Sequence, residues 1–390
     1  MSTQRSAIIV GAGISGLATA VALLAEGWKV DILERASAER SSGSGFSLTA
    51  NGLQALDSLG LGDAVRERSA AQHLAGVFTA QGTQLLSAGE SDGSYLHGIH
   101  RDTLREILLE AAKDADIRYD VEVKSVRTGA KPSVSVVSGS AKETLKADLV
   151  VGADGLSSVS RRAIAKVRPD YSGAACFRGV AESGSGIPEF GAIWLDNGLE
   201  FGAIPINDEQ VYWYAAFKSR LGKVDSITKT ALLARLRPFV PATRALVRAT
   251  PAASLLRHDL SYLPTGLTTY SAEGLVLVGD AAHAMVPTLG QGANQSFEDA
   301  ATLRVLLSEQ SLKAQSLQEA LERFTALRLP RTQSLQRLSL HALRYGALKS
   351  NPISVSARNA MLNLLPSWIL EFAADLRFDW KAPTAQARRD

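Results

Sequence analysis

The chain has 390 residues, 46% of them hydrophobic, which is enough for a large core and about two domains. Its formal net charge is +3 with acids and bases interspersed, and the absence of a Lys/Arg block argues against a nucleic-acid groove. Cys176 is the only cysteine, which excludes an intramolecular disulfide. No apolar run has bilayer length and no signal peptide precedes the first strand, so a soluble cytoplasmic protein is expected.

Residues 7–10 (AIIV) are a short apolar run of the kind buried in parallel sheets. Gly11-Ala12-Gly13-Ile14-Ser15-Gly16 follows at once. Residues 17–26 then read as an Ala/Leu-rich helix ended by Gly27, and residues 28–33 as a strand with Glu34 at its end. This is the dinucleotide fingerprint in its required setting of strand, turn, helix, strand and acid. Gly11 makes the tight turn, Gly13 lets backbone N–H groups approach a pyrophosphate, and Gly16 lets the helix pack on the strand. Glu34 can accept both hydroxyls of an adenosine ribose. The plainer alternative is a glycine turn that binds no nucleotide. An acid at position 34 disfavours a 2′-phosphate, so the ADP half belongs to FAD or NAD rather than NADP.

Residues 35–45 are the most loop-like stretch. Arg101 stands just ahead of a helix over 104–113, where its fork can reach a phosphate or a flavin-side hydroxyl. Residues 119–126 alternate like a strand, and 134–137 with 144–146 read as a hairpin. Residues 147–155 form another buried strand that ends in Asp154-Gly155, with Ser158 and Arg161 soon after. Between 169 and 263 the pattern changes to short strands at 174–181, 191–195, 199–206 and 211–217, which suggests an antiparallel sheet. Alternation puts Tyr212 and Tyr214 on one face and Trp213 on the other, while Glu200 and Gly202 share a face. The two tyrosines are candidates to line a pocket; ordinary core packing is the alternative.

Residues 275–278 run as a buried strand into Gly279-Asp280, and Pro287, Gly290 and Gly292 precede a new helix. A carboxylate at that strand end can hold a sugar-alcohol chain, and the helix start can stabilise negative charge. FAD has a ribityl chain and NAD has none, so FAD is the expected cofactor. Residues 317–327 and 332–344 have helical apolar spacing, with Pro330 kinking or dividing them, and 355–372 adds a further helical stretch.

Taken together, these motifs resemble the single-component FAD-dependent aromatic hydroxylases, the group that includes para-hydroxybenzoate and salicylate hydroxylases. Gly152, Ala153, Asp154, Gly155, Ser158 and Arg161 match the family's middle motif. Gly279 to His283, Pro287, Gly290, Gln291, Gly292 and Asn294 match its third. The resemblance implies an α/β fold: a Rossmann-like FAD-binding domain (1–72, 98–168, 266–303), an inserted antiparallel β-sheet substrate domain (73–97, 169–265) and C-terminal helices (304–390).

The resemblance also implies residue roles. Gly11, Gly13, Ser15, Gly16 and Glu34 would hold the ADP half of FAD, with Val123 near the adenine, and Ala12, Ile14, Arg35 and Gly45 would be further cofactor-binding positions. Arg101 and Asp280 would serve the chain and phosphates, and Asp154, with Arg161, would belong to a segment linked to both FAD and the transient visit of NAD(P)H. Leu289, Gly290, Gly292, Ala293 and Asn294 would face the flavin edge. Pro287, Tyr212 and Tyr214 would shape the pocket and orient the substrate, and His283 would support the cofactor by packing. No metal site is indicated. NADH or NADPH would visit transiently, and dioxygen would hydroxylate an aromatic or heteroaromatic ring through a flavin hydroperoxide. Epoxidation or oxidation of a natural-product skeleton, and a non-catalytic FAD-binding redox protein, are the alternatives. No clear Arg/Tyr pair awaits a substrate carboxylate, so a neutral or heterocyclic ring fits as well; Arg178 is the middle-domain arginine to examine.

Overall fold

The computed structural model describes residues 4–38, 44–87, 95–182, 184, 190–364 and 378–384. In chain order the first elements are β1 (Ser6–Val10), α1 (Ile14–Ala25), β2 (Lys29–Leu33), β3 (Gly45–Thr49), α2 (Ala50–Ser58) and α3 (Gly62–Glu67). β4 (Ala70–Thr79), β5 (Gln84–Ser87), β6 (Tyr95–His100), α4 (Arg101–Ala111), β7 (Asp116–Arg118), β8 (Glu122–Arg127), β9 (Ser133–Ser138), β10 (Ala141–Lys146) and β11 (Leu149–Gly152) follow. The middle holds β12 (Asp170–Glu182), β13 (Gly191–Asp196), β14 (Leu199–Pro205), β15 (Gln210–Lys218), α5 (Lys229–Arg235), α6 (Pro241–Ala249) and β16 (Leu256–Tyr262). The chain then forms β17 (Ser271–Ala272), β18 (Leu275–Leu277), α7 (Asp280–His283), α8 (Gln291–Leu306), α9 (Glu309–Ala314), α10 (Leu317–His341) and α11 (Pro352–Asn363).

One six-stranded sheet has the order β17-β18-β11-β1-β2-β7 and is parallel except for β17. Its apolar runs share one buried core with α1 and with a three-stranded antiparallel sheet of order β10-β9-β8, the kind of cover a parallel sheet requires. A second sheet follows the order β16-β12-β15-β14-β13-β4-β6-β3, with β5 on β4. It is antiparallel apart from the β13–β4 pair, where the chain enters the sheet twice from separate segments. One face packs Phe177, Phe201, Trp213 and Phe217 with Leu232, Leu236, Leu246 and Val247 from α5 and α6. Those two helices were not foreseen from the sequence. Phe201 and Trp213 stack with centroids 5.5 Å apart, and Trp213 Nε1 donates to Thr250 Oγ1 at 2.8 Å.

Pro330 neither divides nor ends its helix, since α10 runs unbroken from Leu317 to His341. Losing one helical hydrogen bond there costs about 3 kcal/mol. Side chains on both sides hold the helix in place: Arg328 binds Glu298 and Asp299, and Thr332 Oγ1 meets Tyr270 Oη at 2.7 Å. α10 continues into a π-helical turn over Ala342–Ala347. Of the helix expected over 355–372, the part beyond 364 lies outside the described residues, as do positions 39–43 of the expected loop. No helix among the described residues is long and apolar enough to cross a membrane.

Candidate cofactor and substrate site

The first and third sequence motifs meet in space. A Cβ on Gly16 would lie 1.9 Å from the Gly11 carbonyl oxygen, so α1 packs on its turn only as glycine. Gly279 has φ +56°, and a Cβ there would lie 2.0 Å from Ser15 Oγ. One helical turn into α8, Ser296 accepts from Ser15 Oγ at 2.8 Å. The start of α1 is therefore pinned against both the Gly279-Asp280 turn and α8.

Both helices begin at a glycine, Gly13 and Gly290, and neither start has a side-chain cap. By contrast α5, α9, α10 and α11 are capped by Thr228, Ser308, Ser316 and Asn351. A Cβ on Gly13 or Gly292 would meet nothing within 4 Å. Free N–H groups at a helix start that face open space are an anion site. Asp280 stands beside them. It is accessible to water, yet enough protein surrounds it that burial raises its pKa. His283, Arg101, Arg178 and Arg161 oppose that rise. Its exposed carboxylate, set at the Gly279 turn, is open to a ligand. Glu34 accepts from Ala12 N and Ala36 N, both at 2.8 Å, which turns its carboxylate to the glycine turn. These residues fit FAD: Glu34 for the ribose, the α1 start for the pyrophosphate, Asp280 for the linking chain and the α8 start for the flavin edge.

Other expected positions serve the frame more directly. Asp154 accepts from Ser158 Oγ, Val159 N, and Ser160 N and Oγ, so its carboxylate is turned onto its own loop. Arg161 is buried and donates to Ala281 O at 2.9 Å, tying the middle motif to the third. Asn294 donates to Ser47 O and Gly290 O and accepts from Thr49 N, fastening α8 to β3. Gly45 is buried, and a Cβ on it would be 2.6 Å from Tyr212 Cβ, so it joins the cradle to the substrate sheet. Arg101 lies over the Phe46 ring at 5.4 Å. Val123 is buried in β8, whose start is bound to Glu34 O through Val121 N. Arg35 is exposed, Ile14 is buried, and Ala293, Leu289 and Pro287 are half-buried around the α8 start.

Behind α8 lies an ionic cluster that the sequence reading did not assemble. Arg328 is 1% exposed and binds both Glu298 and Asp299. Arg331 Nε also reaches Glu298, at 2.7 Å, and Asn51 Nδ2 reaches it at 2.7 Å. Asp299 Oδ2 meets His283 Nε2 at 2.6 Å and accepts from Gly279 N at 2.9 Å. Burial alone would raise both carboxyl pKa values. Arg328 with Arg331 at Glu298, and His283 with Arg328 at Asp299, outweigh burial and hold both below the ordinary range. The signal was present as Glu298-Asp299 and Arg328-Leu-Pro-Arg331, but nothing in a linear pattern pairs the two.

The second face of the large sheet carries Arg178, Cys176, Tyr212, Tyr214 and Glu200. Arg178 pairs with Tyr214 across β12 and β15, and Gly202 pairs with Tyr214 across β14 and β15. Arg178 couples electrostatically to Tyr212, Cys176 and Asp280, and Tyr212 to Arg101, so this face lies toward the Gly279-Asp280 turn. Tyr214 packs against the apolar cluster that holds Val286, next to Pro287, and Leu343 of the π-helical turn. Helical irregularities of that kind recur at functional sites.

The FAD binding domain family matches residues 4–339. The aurachin C monooxygenase/isomerase of Stigmatella aurantiaca is 33% identical over 341 residues, 85% of this chain and 87% of that protein. The 2-heptyl-3-hydroxy-4(1H)-quinolone synthase of Pseudomonas aeruginosa is 32% identical over 373 residues, covering 92% and 94%. Klebsiella pneumoniae HpxO, solved with FAD and uric acid, superposes with a TM-score of 0.83 at 21% identity, covering 96% of this chain and 97% of that one, a likeness of fold.

Proposed function

The chain belongs to the family of FAD-dependent aromatic hydroxylases, and on that premise we propose that it uses NAD(P)H and dioxygen to hydroxylate a heteroaromatic or phenolic ring. The reading rests above all on two glycine-led, uncapped helix starts beside Asp280. When bound, FAD supplies the redox and oxygen-transfer chemistry. The protein's own tasks are to bind, orient and shield. The α8 start opposes negative charge on the flavin edge through backbone N–H groups. Pro287 and Val286 close the site above, and the sheet face with Tyr212 and Tyr214 excludes water from the ring. A relative that makes a 3-hydroxy-4(1H)-quinolone points to bicyclic 4-oxo or 4-hydroxy heteroaromatics as the first substrates to test.

The purified chain should be yellow after incubation with FAD. Its oxidation of NADH or NADPH should accelerate with 2-alkyl-4(1H)-quinolones or with amino-hydroxybenzoates, and mass spectrometry should find a product one oxygen heavier. Tight FAD binding without an oxygenated product from either class would remove the hydroxylase reading and leave a flavin-binding redox protein.

A further inference from the structure

A pocket of about 400 Å³ opens where the substrate sheet meets the C-terminal helices, and none of the residues assigned above to cofactor or substrate lines it. One wall is sheet: the register of β12 slips at Ser172-Gly173, next to the Ala174–Lys218 pair of β12 and β15. The other wall is the π-helical turn and the start of α11, which bring Arg344, Lys349 and Asn351. Three cations line the pocket and no carboxylate does. Among the described residues none of the three is in an ion pair. Arg344 and Lys349 lie instead over the Tyr262 and Tyr345 rings, at 5.8 and 5.0 Å. Tyr262 Oη accepts from Arg344 Nη2 at 3.4 Å and donates to Asp170 Oδ2 at 3.2 Å, so Asp170 is engaged by the tyrosine rather than by the arginine. Cations gathered at one pocket repel one another, and an anion among them turns that repulsion into attraction. Ser172 points the same way. It is 5% exposed, its Oγ accepts from Ala174 N at 3.3 Å, and its O–H meets no acceptor among the described residues. A buried hydroxyl proton needs an acceptor, and an oxyanion in the pocket provides one.

We propose that this pocket binds the phosphoryl group of a small, hydroxyl-bearing phosphate ester. Lys218, Arg344 and Lys349 neutralise the group, and Ser172 donates to one of its oxygens. Asn351 caps α11 by accepting from Ile353 N at 2.9 Å, which leaves its side-chain amide as a further donor. The charge count selects the group: a carboxylate would leave most of three cations unmatched, whereas a phosphoryl group carries close to two charges and more acceptor oxygens. The volume selects the ester, because it exceeds what a bare phosphate fills and lies in the range of small-ligand sites. Ser350 and Ser354 complete a mostly polar lining, which suits a polyol or sugar. The site goes beyond the hydroxylase reading and does not depend on it. Its ligand would bridge β12 and β15 to the start of α11, so binding stabilises the folded chain by mass action.

The test is isothermal titration of the full chain with glycerol 3-phosphate at low ionic strength, with FAD saturating so that its own phosphate sites are closed to the probe. The wild type should bind at a single site and melt at a higher temperature with the ester present. Lys218→Gln, Arg344→Gln and Lys349→Gln should each weaken binding roughly tenfold, the scale of one charged hydrogen bond. Ser172→Ala should weaken it severalfold, and Arg344→Lys should recover part of what Arg344→Gln loses. Lys142→Gln, which removes an exposed cation of β10 outside the pocket, should bind as the wild type does. An unchanged far-ultraviolet spectrum and ligand-free melting temperature establish that each variant is folded. No binding by the wild type would overturn the site, and so would equal losses in Lys142→Gln and the pocket variants, which would reduce the effect to net charge. Inorganic phosphate bound as tightly as the ester would overturn the assignment to an ester. Phosphatidylglycerol vesicles that retain the chain while the soluble ester does not bind would overturn it in favour of a lipid headgroup. The hydroxylase reading fails separately, through FAD-loaded protein that forms no oxygenated product.

Discussion

The proposed cofactor cradle and the proposed substrate wall lie near each other but are built from different parts of the chain. The cradle presents backbone: two helix starts, Gly13 and Gly292 with open space beside them, and Gly279 wedged against Ser15. Its polar side chains mostly turn inward, Asp154 onto its own loop and Asn294 onto β3. The wall presents side chains, Arg178, Tyr212 and Tyr214, on a sheet whose other face holds the aromatic core. A site made of backbone is bound up with the fold, because moving it means moving a helix. A site made of side chains on a finished sheet can be rewritten without disturbing that sheet. One cofactor with many substrates is what such a division allows.

The largest effect is expected behind the cradle. Arg328→Met removes the cation shared by Glu298 and Asp299 and leaves two buried carboxylates underpaired, at a cost of about 4 kcal/mol, read from the urea midpoint. Both carboxyls are held below their ordinary range when folded, so their contribution is complete above that range and fades as pH falls through it. The gap between wild type and Arg328→Met should therefore narrow in acid. A gap that stays constant with pH would place the stabilising charges elsewhere.

The same division explains what the chain's linear pattern discloses. Gly11, Gly13 and Gly16 between two apolar runs, with Glu34 after, can be read because each glycine answers a backbone demand that no other residue meets. The parallel strands can be read because burial on both faces leaves unbroken apolar runs such as residues 7–10. Strand alternation separates Tyr212 and Tyr214 from Trp213, as the structure has them. Pairings between strands stay hidden: Glu200 beneath Tyr214 depends on the register of β14 on β15, and the Arg328 cluster depends on α10 crossing α8. α5 and α6 were missed because they are short, seven and nine residues, and interrupt a run of strands.

Asp280→Asn sets binding against stability and should have the intermediate effect. Burial raises the Asp280 pKa, so the native state holds that proton more tightly than the unfolded chain, and stability falls as pH rises through the shifted range. Without FAD, Asp280→Asn should therefore melt at a higher temperature than the wild type at neutral pH, with the advantage vanishing in acid. With FAD, it should bind roughly tenfold more weakly, because an ionised hydrogen-bond acceptor is replaced by a neutral one. Isothermal titration with FAD and melting of the apoprotein measure the two halves. A variant that loses stability without FAD would show that Asp280 supports the fold rather than the cofactor.

The smallest effect separates two tyrosines on one face of β15. Burial first of all pushes the Tyr212 phenol up to about 12, so it stays neutral near pH 7. Among the described residues the Tyr212 hydroxyl has no hydrogen-bond partner, whereas that of Tyr214 has Glu200. Its ring is held by packing against Gly45 and Ile206, which phenylalanine would reproduce. Tyr212→Phe should therefore keep FAD and cost less than about 1 kcal/mol in stability, read from the urea midpoint, and less than Tyr214→Phe, which strips Glu200 of its donor. Equal costs in Tyr212→Phe and Tyr214→Phe would mean that position on the face matters, and that the carboxylate beneath Tyr214 does not.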